Sequence, residues 1–345
     1  MKKLLLTAII SLSTIVFAQK VDLDRFNFQT KYRDLPHNPL DSTFSTYNVR
    51  VEAPYSITRA IDDESIKSRV ILQGFKKEQY LNGDLGIVLM FDDLIIKSTN
   101  IKESVSTKKN KDGTETKTYS YMVEIDYVVS GRSYVNTKMG SPLIKSFTLL
   151  NSSTQSYSST SFSKRSDASR FLENNKTSVL NNLVRDHVTA AINEANRKIN
   201  YEYGYPERVE NSILWLSDHR KHPETVIVEA LWSKLKPVLS NLSPNNLSDD
   251  EKSEIMAAIS YFDEVKIKYP EDDKREAKLR YGSFYNNARL YLILDMPEKA
   301  IEEANGLIAN DYDTKDGKKL KEEAQELIDL FNKNNSHSRH FILSN

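Results

Sequence analysis

The sequence predicts an α+β chain of two domains: an antiparallel, β-rich, sandwich-like domain over residues 19–165, then a helical domain over residues 207–335. Three observations carry this. Between residues 26 and 162 hydrophobic side chains recur mainly with a period of two. From residue 166 the spacing changes to three and four. Turn and breaker residues (Asp112-Gly113, Gly204, Pro206, Pro223) stand where one pattern stops and another starts.

Residues 1–18 read as a cleavable secretory signal. Lys2 and Lys3 form a positive start, residues 4–17 an apolar stretch, and Val16-Phe17-Ala18 a small-residue cleavage site. The sequence holds no Cys, so neither a lipid anchor, a disulfide nor a thiolate metal site is expected. No later run reaches the ~18 consecutive apolar residues of a membrane-spanning helix, so no transmembrane segment is expected in the mature chain. Together these place the protein outside the cytoplasmic membrane, in the periplasm or beyond.

Strand by strand, Tyr47, Val49 and Val51 alternate, and residues 86–91 are apolar at consecutive positions, as in a strand buried on both faces. Residues 119–129 put Tyr119, Tyr121, Val123, Ile125, Tyr127 and Val129 on one face. With residues 94–107 they predict a long hairpin, its turn at Asp112-Gly113. Residues 132–149 add one or two strands, broken near Gly140-Ser141-Pro142. The hydroxyl-rich residues 151–163 read as a closing edge strand or a linker.

Leu172, Val179, Val184, Val188, Ala191, Ile192, Ala195 and Ile199 then mark one long helix, the connection over residues 166–206, stopped by Gly204 and Pro206. Helical spacing also predicts a helix over residues 207–221. Pro223 opens the next one, which Pro237 should kink or shorten. Ser248 and Glu251 match a capping box, and Asp295 with Glu298 a second cap pair. Further helices are expected over residues 274–294, 297–310 and 316–332, with residues 336–345 as a tail.

The 48 basic and 48 acidic residues balance, which disfavours nucleic acid as a partner. Residues 241–335 are locally acidic, with 21 acidic against 14 basic side chains, as solvated helix faces commonly are.

Within the helical part, Phe284, Ala288, Tyr291 and Ala300 recur in a fixed register, with Ala258, Phe262 and Pro270 one unit earlier and Trp232 and Leu235 before them. In these residues the segment 224–332 resembles tetratricopeptide repeats, antiparallel helix pairs with small residues at their crossings. Ala304 departs from the pattern, where a large aromatic belongs. The resemblance implies a protein- or peptide-binding module whose concave face carries Tyr285 and Arg289, with Asn286 close by. Arg289 would then meet a partner carboxylate through its planar fork. The alternative is that Tyr285 packs and Arg289 is a solvated helix charge.

Catalytic signatures are missing: no G-x-S-x-G, H-E-x-x-H, P-loop or G-x-G-x-x-G after a strand. Catalytic residues, cofactors and resident metals are therefore not expected. His219 and His222, near Glu224, have metal-like spacing, but Arg220, Lys221 and Pro223 favour a polar helix end. Asp92-Asp93 reads as a turn after a buried strand, and Asp62-Asp63-Glu64 as a helix start or loop. Tyr201, Tyr203 and Tyr205 alternate before Pro206, either as a stacking surface for a sugar or peptide, or as rings packed at a domain junction. The sequence thus points first to an exported, non-enzymatic binding or scaffold protein of the cell envelope with a protein or peptide partner. A carbohydrate-binding or carbohydrate-processing protein is second, and a structural envelope component third.

Overall fold

A computed structural model describes residues 20–79, 82–137 and 143–343. The signal segment of residues 1–18 and the break near Gly140 lie outside the described residues. The strand-rich part and the helical part follow in the expected α+β order. The chain divides into two compact units, one holding Asp34–Pro206, the other joining the segment that ends at Arg33 to Glu207–Ile342. The strand β1 (Leu23–Arg33) therefore belongs with the helices, and not with the β-rich residues that follow it.

In the strand-rich unit β2 (Thr46–Glu52) leads through α1 (Tyr55–Thr58) and α2 (Asp63–Arg69) to β3 (Lys76–Lys77) and β4 (Leu85–Phe91). The long hairpin β5 (Ile95–Lys109) and β6 (Glu115–Val128) follows, then β7 (Gly131–Asn136), β8 (Leu143–Leu150), β9 (Gln155–Ser158) and α3 (Arg165–Tyr203). Gly113, at φ 84°, turns the hairpin, and Asp112 accepts from the Thr114 amide at 3.0 Å. Asp62 caps α2 by accepting from the Ser65 amide. The residues 151–163 do close a sheet: β9 pairs with β6, Tyr157 opposite Ile125.

Two features depart from an antiparallel sandwich. The five-stranded sheet β3-β2-β4-β7-β8 is mixed, because β2 runs parallel to β3 and β4. The crossover through α1 and α2 gives the chain the length that a parallel return requires. The sheets are also backed by a helix instead of by each other. Val123 and Ile125 of β6 pack on Ala168, Phe171 and Leu172 at the start of α3. Ile87, Leu89, Val135 and Phe147 pack with Val188, Ile192 and Ile199 further along it. The 39-residue helix, about 58 Å long at 1.5 Å per residue, is thus core and not a free connector.

In the second unit the expected helix over residues 207–221 is instead a strand, β10 (Glu207–Ser217), antiparallel to β1 from Arg33↔Glu207 to Leu23↔Ser217. Val209, Ile213 and Leu216 fit a helical spacing, but Ser212, Leu214 and Leu216 fit a period of two, and a partner strand decides between them. Then come α4 (Pro223–Asn241), α5 (Asp249–Lys268), α6 (Lys274–Ile293), α7 (Pro297–Ala309) and α8 (Thr314–Asn334). The helix α4 continues through Pro237 to Asn241 and is not shortened there. Its Trp232 packs edge-on against Phe26 and Phe28 of β1, at 5.6 and 6.0 Å.

The Ser248–Glu251 capping box forms. Asp295 does not cap α7. It takes the left-handed turn after α6 (φ 58°), and its carboxylate accepts from the Arg339 side chain and main chain, both at 2.7 Å. The expected tail over residues 336–345 is accordingly docked as far as Phe341, whose amide donates to the Pro244 carbonyl: the Arg339 guanidinium lies 4.2 Å above the Tyr32 ring, and its carbonyl accepts from the Arg33 amide. Consecutive helices from α4 to α8 pack on one another. Ala258, Ala288, Ala300 and Ala304 are all fully buried there.

Candidate functional site

Helix α6 supplies three of the sequence-predicted site residues, and all three are buried, at 8% (Tyr285), 0% (Asn286) and 9% (Arg289) exposure. Neither expectation for them holds as stated: Tyr285 packs, but Arg289 is no solvated charge, and Asn286 is consumed internally. The reason is β10, which runs beside α6. The Asn286 carboxamide accepts from the Trp215 amide at 2.8 Å and donates to the Trp215 carbonyl at 2.7 Å. The Tyr285 ring meets Trp215 edge-on at 6.4 Å.

One turn further along α6, Arg289 donates from Nη1 to Glu323 of α8 at 2.6 Å, with Glu210 of β10 at 3.9 Å. Its buried Nε has no hydrogen-bond partner among the described residues. Burial opposes the charge of Arg289, but Glu323, Tyr285 and Glu210 outweigh it and keep the guanidinium protonated. Burial pushes the Tyr285 hydroxyl up, and Arg289 pulls it partly back.

These residues line an open cleft of about 440 Å³. One wall is β10 from Glu210 to Ile213. The floor is Tyr285 and Arg289, and the other wall is α8 with Lys319, Glu322, Glu323 and Glu326. Four carboxylates face two cations, so the cleft is electronegative although Arg289 lies at its base. Behind it, the Tyr32 hydroxyl donates to Glu210 at 2.8 Å, and the residues around Arg339 close a cavity of about 40 Å³. The arrangement can hold a ligand, with carboxylates on both walls and the Arg289 guanidinium at the floor.

The tyrosines 201, 203 and 205 lie in the strand-rich unit and do not form a platform. Tyr201 is exposed and stacks on His37 at 3.9 Å. Tyr203 is 2% exposed in the core, its hydroxyl pushed up to about 12 by burial. Tyr205 is half-buried over Gly74, whose φ of 91° and lack of a Cβ let the ring approach. Of the three rings only that of Tyr201 is exposed.

His222 is the polar helix end that its neighbours implied: its Nδ1 accepts from the Glu224 amide at 3.3 Å and caps α4. Asp92 and Asp93 are both exposed after β4, as a turn requires. No cluster of potential metal ligands exists among the described residues.

Sequence reasoning named Glu224 beside His219 and His222 but missed its burial and its partners. The Glu224 carboxylate accepts from Tyr261 (2.7 Å), Lys268 (2.6 Å) and Tyr269 (2.9 Å). Burial raises its pKa, and these three donors more than reverse that, leaving it below the ordinary range. In the sequence Glu224 was marked by a Pro-Glu helix start and by the nearby His pair, and its partners lie on the far end of another helix. The chain matches no protein-family model and no curated protein.

Proposed function

We propose that the chain is an exported, non-enzymatic binding or scaffold protein that receives a segment of a protein partner in the cleft between β10 and α8. What supports this most is the cleft itself: an open volume between β10 and α8, with four carboxylates around a buried, ion-paired arginine at its floor. Export rests on the residues 1–18 and gives the partner's compartment as the cell envelope or beyond.

The test is a photo-crosslinking amino acid placed at Lys319 or Glu322 of the full chain in cells, with Tyr119 of the exposed hairpin as control. A discrete adduct from the two cleft positions and none from Tyr119 is expected. Equal labelling from all three, or none from the cleft, removes the reading. Mass analysis of the same protein from the envelope fraction should find Gln19 as the first residue; an intact start in the cytoplasm overturns export.

A further inference from the structure

The two-stranded β1–β10 sheet has a free outer edge on β10. Register shows which residues face it. Trp215 gives its amide and carbonyl to Asn286 and not to β1, so in an antiparallel ladder without a bulge Ile213, Asn211 and Val209 turn their amides and carbonyls the same way. At Asn211 and Ile213 these groups have no hydrogen-bond partner among the described residues, and both residues line the cleft. Exposed edges are usually blunted by lysine, proline or a bulge. Between Asn211 and Ile213 there is none. The Asn286 carboxamide occupies at Trp215 the place where the peptide group of a neighbouring strand would sit, and so marks the line that such a strand would follow. From Val209 to Ile213 that line is about 13 Å long at 3.3 Å per residue.

Charge then selects the occupant. A strand laid along this line turns alternate side chains towards α8, where Glu322 and Glu326 are exposed and Glu323 is half-buried. With Glu210 these outnumber Lys319 and Arg289, and Arg289 is already paired to Glu323.

We propose that the cleft takes an extended, lysine- or arginine-bearing segment of a partner chain as a third strand on the outer edge of β10. This rests on the cleft being the partner site, and it names how the partner is held and its charge.

The probe is a fluorescent heptapeptide alternating lysine and threonine, titrated into the full chain at low salt by anisotropy. Three comparisons decide. Replacing its lysines by glutamates should weaken binding at least tenfold, as should Glu322→Lys with Glu326→Lys in the protein. Methylating alternate peptide nitrogens should do the same by blocking the ladder. Asn211→Pro removes an N–H that β1 does not use, so it should leave the unfolding midpoint nearly unchanged and still cost at least tenfold in affinity. Binding that survives methylation and Asn211→Pro overturns strand addition, and binding that ignores the charge reversals overturns the basic partner. If the cleft crosslinks a partner in cells while the basic peptide does not bind, this inference falls and the binding reading stands. If neither occurs, both fall.

Discussion

The strand-rich unit and the helical unit bury different things. Under the five-stranded sheet the interior is mainly apolar: Ile57, Ile66, Leu85, Ile87, Leu89, Ile192 and Ile199 are all at most 1% exposed, and among the described residues of this unit Glu202 is the one buried charge beside Asn48, Ser133, Ser159 and Asn200. Around α6 the interior holds Asn286, Arg289 and Glu224, and beside it Asp295 with Arg339. An apolar core tolerates many partners of similar volume, whereas a buried charge needs one particular partner in one particular place. The difference teaches where geometry is specified most tightly, and the open cleft lies in the unit that specifies it by charge.

The largest test of this contrast is Arg339→Ala. It takes the guanidinium from the Asp295 carboxylate and leaves it only the residue-339 amide and the Ser338 hydroxyl, and a loss of about 3–5 kcal/mol in denaturant unfolding is expected. A double change, Arg339→Met with Asp295→Leu, should recover most of it. If the double variant is as unstable as the single one, volume and not charge governs that site, and the contrast fails there. Leu89→Ala, in the apolar core, should cost about 2–5 kcal/mol through lost burial and a cavity, with no dependence on pH.

Next is Tyr261→Phe, which removes one donor from Glu224 and should cost about 1.5–3 kcal/mol. The pH dependence sharpens this. Because the folded Glu224 pKa lies below its unfolded value, the native state binds fewer protons in that window. Its stabilisation is complete above the unfolded carboxylate range and is lost as pH falls through the folded value. Glu224→Gln should therefore flatten the acid limb of a stability–pH curve, and an unchanged limb would show that the carboxylate is not held as described. Smallest is Ser248→Ala at the α5 capping box, about 1 kcal/mol, read from the unfolding midpoint. A loss as large as that of Arg339→Ala would mean that local capping outranks the long-range pairs.

Much of the fold is legible without coordinates. The hairpin turn at Asp112-Gly113, the doubly buried residues 86–91, the long α3 and the Ser248 cap all follow from spacing and local chemistry, since each is decided by residues close in sequence. β10 was not legible: over eleven residues periods of two and three-to-four overlap, and β1, its arbiter, lies far earlier in the chain. Of the candidate site, Tyr285 and Arg289 were singled out through a repeat-like register, which placed on an open concave surface a helix face that lines a cleft. The strand beside that face, and Glu323 thirty-four residues further on, turned it into the floor of a cleft.

By itself the sequence determined the order of strand-rich and helical parts, most element boundaries, and the absence of thiol chemistry, because periodicity, capping and composition act over a few residues. Only the tertiary structure decided that β1 leaves its neighbours to join the helices, that the residues around Arg339 are docked, and that an unpaired strand edge faces an acidic helix across a cleft. Each of those depends on groups brought together from far apart in the chain. Local spacing carries no record of such meetings, and the desolvation that makes them matter exists only once the chain has folded.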